Sequence, residues 1–161
     1  MFQTPALAGA TYALMSPTET KLRKMETLAQ RMIDGAGVPA SVYATTDRRE
    51  ALRDADYVVC MIQVGGVEAF RQDYEIPLKY GVDQCIGDSL GPGGVLRGLR
   101  SIPVLADLTR DIAELAKPGA ILLNYTNPMG ACCYALGQVS EVPFIGLCHG
   151  VQTTLDLISG Y

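Results

Sequence analysis

Long apolar runs, extended clusters of basic charge and CxxC cysteine pairs are all missing from this chain of 161 residues. No stretch approaches the roughly 20 consecutive apolar residues that a membrane helix needs. Met1 to Ala10 has neither the basic start nor the long hydrophobic segment of a secretory signal, so a cytoplasmic location without a membrane partner is expected. The basic residues are scattered apart from Lys21/Arg23/Lys24 and Arg97/Arg100, within a formal net charge of −4, which argues against a phosphate-tracking surface and against nucleic acid as a partner. The five cysteines, at 60, 85, 132, 133 and 148, are odd in number and form no CxxC pair, in a chain too large to need disulfide staples. They read as reduced thiols, with Cys60, Cys85, Cys132 and Cys133 as buried small apolar groups. There is no internal repeat, low-complexity tract or linker, and with 48% hydrophobic and 19% charged residues the composition is that of an ordinary globular domain, so a single domain is the starting assumption.

What is present alternates strand and helix. Thr11 to Met15 (TYALM) is a β-favouring run, and Ser16-Pro17-Thr18 supplies a turn and a helix start with proline in the first turn. Leu22, Met25, Leu28, Ala29, Met32 and Ile33 then keep the spacing of one helical face until Gly35 and Gly37. Ser41 to Thr45 is a second strand, Asp47 to Asp54 a short helix, and Asp56 to Ile62 (DYVVCMI) a continuous apolar run of the kind buried on both faces of a parallel sheet. A helix to about Tyr80, a glycine-rich loop from Gly87 to Gly94, and a helix from about Val95 to Ala116 follow. Ala120 to Asn124 is a strand, Asn127-Pro128 opens the next helix, and Pro143 to Leu147 is a last strand. Strands joined by helical crossovers predict an α/β fold, with a parallel sheet covered by helices on both faces.

In such a sheet ligands bind beyond the carboxyl ends of the strands. That rule selects Ser16, Gln63 with Gly65 and Gly66, Asn124 to Asn127, and Cys148-His149, where helix N-termini can hold phosphate or sugar oxygens. A thiolate at Cys148 could take a soft or borderline divalent metal, and the imidazole of His149, the chain's only histidine, could serve as ligand or acid. Spacing alone fits a packed cysteine beside a hydrogen-bonded histidine as well. Asn127-Pro128 fits a helix N-cap followed by proline, and on local grounds that reading leads. Gly91-Pro92-Gly93-Gly94 fits a simple turn, and the GxGxxG dinucleotide fingerprint is absent. Arg97 and Arg100 could bind an anion, although helix arginines more often serve no such purpose.

Taken together, TYALM, DYVVCMIQVGG, YGVDQCIGDSLGPGG, LRSIPVLADLTRDI, LLNYTNPMGA and GLCHGVQTT resemble, in order, the family 4 glycoside hydrolases, the NAD-using group of α-galactosidases, α-glucosidases, α-glucuronidases and 6-phospho-glycosidases. The CHGVQ form is similar to the α-galactosidase and α-glucosidase branch. The resemblance implies a Rossmann-like sheet and a hydrolysis that the usual pair of carboxylates does not perform. NAD takes hydride from C3 of the sugar, a base removes the C2 proton, the glycosidic bond breaks by elimination, and water addition with re-reduction closes the cycle, while Mn2+ or another divalent metal polarises the C2 and C3 oxygens. By this resemblance Cys148 matches a metal ligand, His149 a position that in some members is an acid for the leaving group and contacts substrate, and Asn127 an asparagine on the sugar hydroxyls. Gln63, Gly65, Gly66, Asn124 and Thr126 match positions along the nicotinamide and ribose.

The resemblance also implies gaps. Family members begin with a strand and a GAGS-like turn for the pyrophosphate, and Met1 to Gly9 reads as the tail of the helix after that turn. Residues 1–161 are therefore expected to form a partial NAD-binding domain without its central first strand, which would lie between the strands at 11–15 and 56–62, and without the C-terminal substrate domain. Ser16 stands where an acid usually grips the ribose, which leaves NAD against NADP open; Gly130 and Thr153 are smaller departures. With one thiolate and one imidazole in place of the usual three or more protein ligands, this chain alone is expected not to turn over glycosides. The expected partner is a small-molecule glycoside, and the full-length family members are homo-oligomers. Two other readings remain: an oxidoreductase of the lactate or malate dehydrogenase type, which uses a catalytic histidine without metal, and a catalytically silent domain.

Overall fold

The computed structural model describes residues 4–84, 87 and 90–160. Cys85 and Asp88-Ser89 of the glycine-rich loop, with the burial expected for that cysteine, lie outside the described residues. The architecture is α/β, with Rossmann-like parallel strands alternating with helices. The chain divides into two compact units, Met1–Ala55 and Asp56–Tyr161.

In the first unit β1 (Thr11–Met15) pairs in parallel with β2 (Ser41–Thr45), in a register that sets Thr11 beside Ser41 and Met15 beside Thr45. Between them runs α1 (Glu19–Ala36), which buries Leu22 and Ile33 and leaves Met25, Leu28 and Met32 exposed. Pro17 lies outside this helix, because Thr18 in extended backbone is the N-cap. Gly35 continues the helix and Gly37 ends it: at φ 62 it adopts the left-handed conformation that costs glycine least, and its N–H donates to the Ile33 and Asp34 carbonyls. The short α2 (Arg48–Leu52) is capped by Asp47, whose Oδ1 accepts the Arg49 N–H at 2.8 Å, and buries Leu52. The stretch read as a helix tail holds only a 3-10 turn, Pro5–Leu7, among the described residues.

The second unit carries β3 (Tyr57–Cys60), β4 (Ile121–Asn124) and β5 (Phe144–Gly146), all parallel in that order. The register places Cys60, Asn124 and Gly146 in one row at the carboxyl end. The helices are α3 (Gly66–Leu78), α4 (Pro92–Leu115), α5 (Met129–Val139) and α6 (His149–Ser159). Helix α4 begins three residues earlier than its apolar spacing suggested, because Gly91 takes the cap and Pro92 the first helical position, where its missing N–H costs nothing. It packs against α3 and α5, and α5 against β5. Leu105, Ile112, Leu122, Cys132 and Leu136 form the core, each fully buried leucine or isoleucine contributing about 1.5–3 kcal/mol. Asp56 anchors the start of the sheet: its carbonyl accepts from the Ile121 N–H at 3.2 Å and its carboxylate meets Lys117 Nζ at 2.8 Å.

The strands form two sheets, β1-β2 and β3-β4-β5, so β1 and β3 are both edge strands among the described residues. Along β3 one row, Tyr57, Val59 and Met61, is exposed, while Cys60 of the alternate row is buried.

Candidate functional site

Three turns leave the second unit's sheet at its carboxyl edge. After β3, Gln63-Val64-Gly65-Gly66 leads into α3, with Gly65 at φ 79 as the N-cap and Gly66 at φ 63. Both conformations need glycine, and Gly65 needs it twice, since a Cβ there would stand 2.5 Å from the Ala69 Cβ. Gln63 is exposed. Its Oε1 accepts from Arg97 Nη2 at 2.5 Å, and that guanidinium also stands 5.5 Å over the Phe70 ring. One turn further along α4, Arg100 donates from both terminal nitrogens to Asp73, at 2.7 and 2.5 Å. Asp73 is buried at 5% side-chain exposure and Arg100 lies at 29%, so the carboxylate is held by a paired guanidinium in place of water. Neither arginine stands as a simple anion site, because both face protein partners.

The turn after β4 is closed from inside. Asn124 is fully buried, and its Oδ1 accepts the Thr126 N–H at 3.1 Å while its Nδ2 donates to the Thr126 carbonyl at 3.5 Å. Thr126, 1% exposed, accepts the Ile62 N–H on Oγ1 at 3.2 Å and so ties this turn to the end of β3. The Tyr125 N–H donates to the Cys60 carbonyl at 2.8 Å, and the Leu147 N–H to the Asn124 carbonyl at 2.9 Å. Asn127 is half-buried, and it is Pro128 that occupies the N-cap of α5, with no side-chain cap bond. Capping, the reading that led on local grounds, therefore does not occupy the Asn127 amide, which makes no side-chain hydrogen bond among the described residues.

The turn after β5 holds Cys148 half-buried at the N-cap of α6 and His149 exposed as its first residue. Helix α6 was not recognised as an element, although Val151, Leu155 and Ile158 keep the spacing of one helical face; none of its residues is buried. Cys60 and Cys132 are buried, as expected, while Cys133 is half-buried, with its Sγ 3.8 Å from both Asn124 Nδ2 and Met129 Sδ. Burial, with Cys133 and Cys60 nearby, pushes the Cys132 thiol up to about 11. No group of three or more His, Cys, Asp or Glu side chains able to hold a metal ion occurs among the described residues. Cys148 and His149 thus offer two donors, a thiolate and an imidazole, short of a complete protein ligand set.

The structure brings Gln63, Gly65, Gly66, Asn124, Thr126, Asn127, Cys148 and His149 to one sheet edge. Ser16 belongs to the first unit, half-buried after β1, where its Oγ accepts the Thr18 N–H at 3.2 Å. Sequence reasoning had no means of pairing Arg97 with Gln63 or Arg100 with Asp73, which lie 34 and 27 residues apart.

The profile of the family 4 glycosyl hydrolases matches residues 1–160. An α-galactosidase of Rhizobium meliloti is 45% identical over 159 residues, which are 99% of this chain and 32% of that protein. A 6-phospho-α-glucosidase from gut microorganisms, solved with NAD and glucose-6-phosphate, superimposes with a TM-score of 0.76 at 26% identity, over 86% of this chain and 31% of that one. A structure of a 6-phospho-α-glucosidase from gut microorganisms with NAD and Mn2+ gives the same TM-score at 24% identity, over 86% of this chain and 32% of that one, a likeness of fold. The chain thus spans about a third of the length of these relatives. No helix among the described residues is long and apolar enough to cross a membrane. With a family match over nearly its whole length and strand-end turns that carry its motifs, the chain belongs to the family 4 glycosyl hydrolases.

Proposed function

We propose that this chain is part of a cytoplasmic NAD- and metal-dependent glycosidase, acting on α-galactosides or α-glucosides, and that the 161 residues alone do not turn over substrate. The observation that supports the reading is the register of β3, β4 and β5, which ends three strands in one row, so that the glycine turn, Asn127 and the Cys148-His149 pair each follow the carboxyl end of a strand, where ligands bind in α/β sheets. NAD, when bound, supplies reversible hydride acceptance at a sugar carbon, which acidifies the adjacent C–H and allows elimination of the glycosidic oxygen.

The chain's own residues fit NAD in part. At the end of β3 the exposed Gln63 offers amide hydrogens, and Gly66, where a Cβ would meet nothing within 4 Å, leaves open space for a planar ring and ribose beside the turn. Ser16 can donate to a ribose hydroxyl but lacks the charge of an acid. Asn124 and Thr126, being buried, act by fixing the shape of the turn that presents Asn127 to the sugar hydroxyls. In this reading His149, exposed at the first turn of α6, hands a proton to the leaving oxygen. A thiolate and an imidazole are softer donors than the oxygens Mn2+ prefers, so Cys148 and His149 would serve such an ion only as part of a set completed by oxygen ligands, and two donors do not complete one.

The test compares the 161-residue chain with a polypeptide of the relatives' length that carries the same residues, given nitrophenyl α-galactoside or α-glucoside with NAD+ and Mn2+. The short chain is expected to release no nitrophenol, and the long one to release it only when NAD+ is present. Cleavage by the long protein without NAD+ would overturn the reading, and NADH production from a hydroxy acid without cleavage would turn it into the dehydrogenase alternative.

A further inference from the structure

We infer that Arg97 is a positioning residue that sets the orientation of the Gln63 amide, so that this side chain meets the ligand as a hydrogen-bond donor to an acceptor oxygen. The inference rests on the reading of the β3 turn as part of the NAD site. Its physical basis is the chemistry of the contact. A guanidinium has five N–H donors and no acceptor, so the group facing Arg97 Nη2 at 2.5 Å must be the amide oxygen of Gln63. With Oε1 turned to Arg97, the group that Gln63 turns away from the arginine at the carboxyl end of β3 is its NH2. An amide free to turn would present oxygen or nitrogen equally; this one is fixed as a donor, which suits a carboxamide oxygen or a ribose hydroxyl.

The arginine itself is held in place. Its guanidinium rests over the Phe70 ring of α3, 5.5 Å from the centroid, an arrangement that favours a planar cation. One helical turn on, Arg100 grips the buried Asp73 of α3 with both terminal nitrogens. The Arg100 Nε, buried and without a hydrogen-bond partner among the described residues, lies 3.7 Å from where a Cβ on Gly65 would stand. Two arginines on successive turns of α4 thus bind the turn after β3 and the helix it begins. Arg100 fixes α4 against α3, and Arg97 converts that fixed position into one orientation of the Gln63 amide.

The experiment uses the 161-residue chain labelled with 15N, and reads the Gln63 side-chain amide directly, assigned by its loss in Gln63→Leu. In the native protein the two amide protons are expected to be well separated and distinct from free glutamine. In Arg97→Met they are expected to collapse toward free-glutamine values while the backbone signals of β3, β4 and β5 stay in place, and Arg97→Lys, which keeps a donor, is expected to restore part of the separation. Titration with NAD+ is expected to give a dissociation constant about 3–10-fold weaker in Arg97→Met, the worth of one lost hydrogen bond. An unchanged Gln63 signal in Arg97→Met overturns the inference, and so does an unchanged NAD+ affinity when the native chain binds. If the native chain binds no NAD+ while the Gln63 signal responds to Arg97, the NAD reading of this chain fails and the ligand-facing part of the inference falls with it, leaving the fixed amide as a structural contact.

Discussion

The turns after β4 and β5 leave neighbouring strands at the same edge, yet they are built in opposite ways. After β4 the chain is locked by its own side chains: Asn124 holds both the N–H and the carbonyl of Thr126, and Thr126 holds the N–H of Ile62. After β5 no buried side chain locks the turn among the described residues; Cys148 caps α6 without a bond from its own side chain, Gln152 reaches only the backbone carbonyls of Cys148 and His149, and His149 stands exposed. A buried amide with satisfied bonds spends its hydrogen-bonding capacity on the backbone and keeps little for a ligand. A half-buried thiol beside an exposed imidazole keeps its capacity for something that is not protein. The first turn is a support, and the second is where chemistry has room.

The largest effect that would break this contrast is at Asn124. Replacing it with alanine removes the bonds that define the turn and leaves the Thr126 N–H buried without a partner, a loss of about 2–4 kcal/mol in the free energy of unfolding. Urea denaturation followed by circular dichroism measures it. A loss under about 0.5 kcal/mol would mean that the turn is held by the strands alone and that Asn124 is available to a ligand after all.

A middle-sized effect concerns the thiols. Cys132 is fully buried and its thiol is pushed up to about 11, against 9.0 for the free group. Below pH ~9 the thiol is protonated in both folded and unfolded chains, and it neither favours nor opposes folding. Between pH ~9 and ~11 the unfolded chain ionises first, so stability is lost as pH rises, by about 1–2 kcal/mol in total. The expected result is a steeper alkaline fall of the urea midpoint in the native protein than in Cys132→Ala. Parallel pH curves for the two would show that Cys132 is not the group responsible.

Which parts of this were legible in the sequence follows the range of the physics involved. The strands at 11–15 and 41–45 were found to the residue, because alternating or continuous apolar runs report directly on a sheet. The strand-end rule put Asn127, Cys148 and His149 after the carboxyl ends of strands from local order alone, and the structure has them there. Cap geometry was misread at Pro17 and at Asn127, since proline is tolerated both before and inside a first helical turn and the residues around it do not say which. Helix α6 was missed even though Val151, Leu155 and Ile158 recur at helical spacing, a signal of only three positions. Local runs alone could not show that β1 and β3 do not pair, because pairing is non-local; it was the resemblance that implied a strand between those at 11–15 and 56–62. Contacts such as Arg97 to Gln63 and Arg100 to Asp73 belong to tertiary structure and leave no local trace.

The smallest stability effect is expected at Cys148, and its smallness sharpens the contrast. The thiol is half-buried and caps nothing, so Cys148→Ala should shift the free energy of unfolding by no more than about 0.5 kcal/mol. The same side chain should be the one that reagents reach: with iodoacetamide at neutral pH, followed by peptide mapping, Cys148 is expected to be alkylated well before the buried Cys60 and Cys132. Either result alone has a plain structural explanation, since a loose residue is cheap to remove and an exposed one is easy to modify. Their conjunction at a residue two positions beyond β5, whose last residue Gly146 pairs with Asn124, is more telling, because the neighbouring turn spends buried side chains on rigidity. Were Cys148 to resist alkylation as Cys132 does, the turn after β5 would be as closed as its neighbour, and a metal-binding role for the thiol would lose its physical basis.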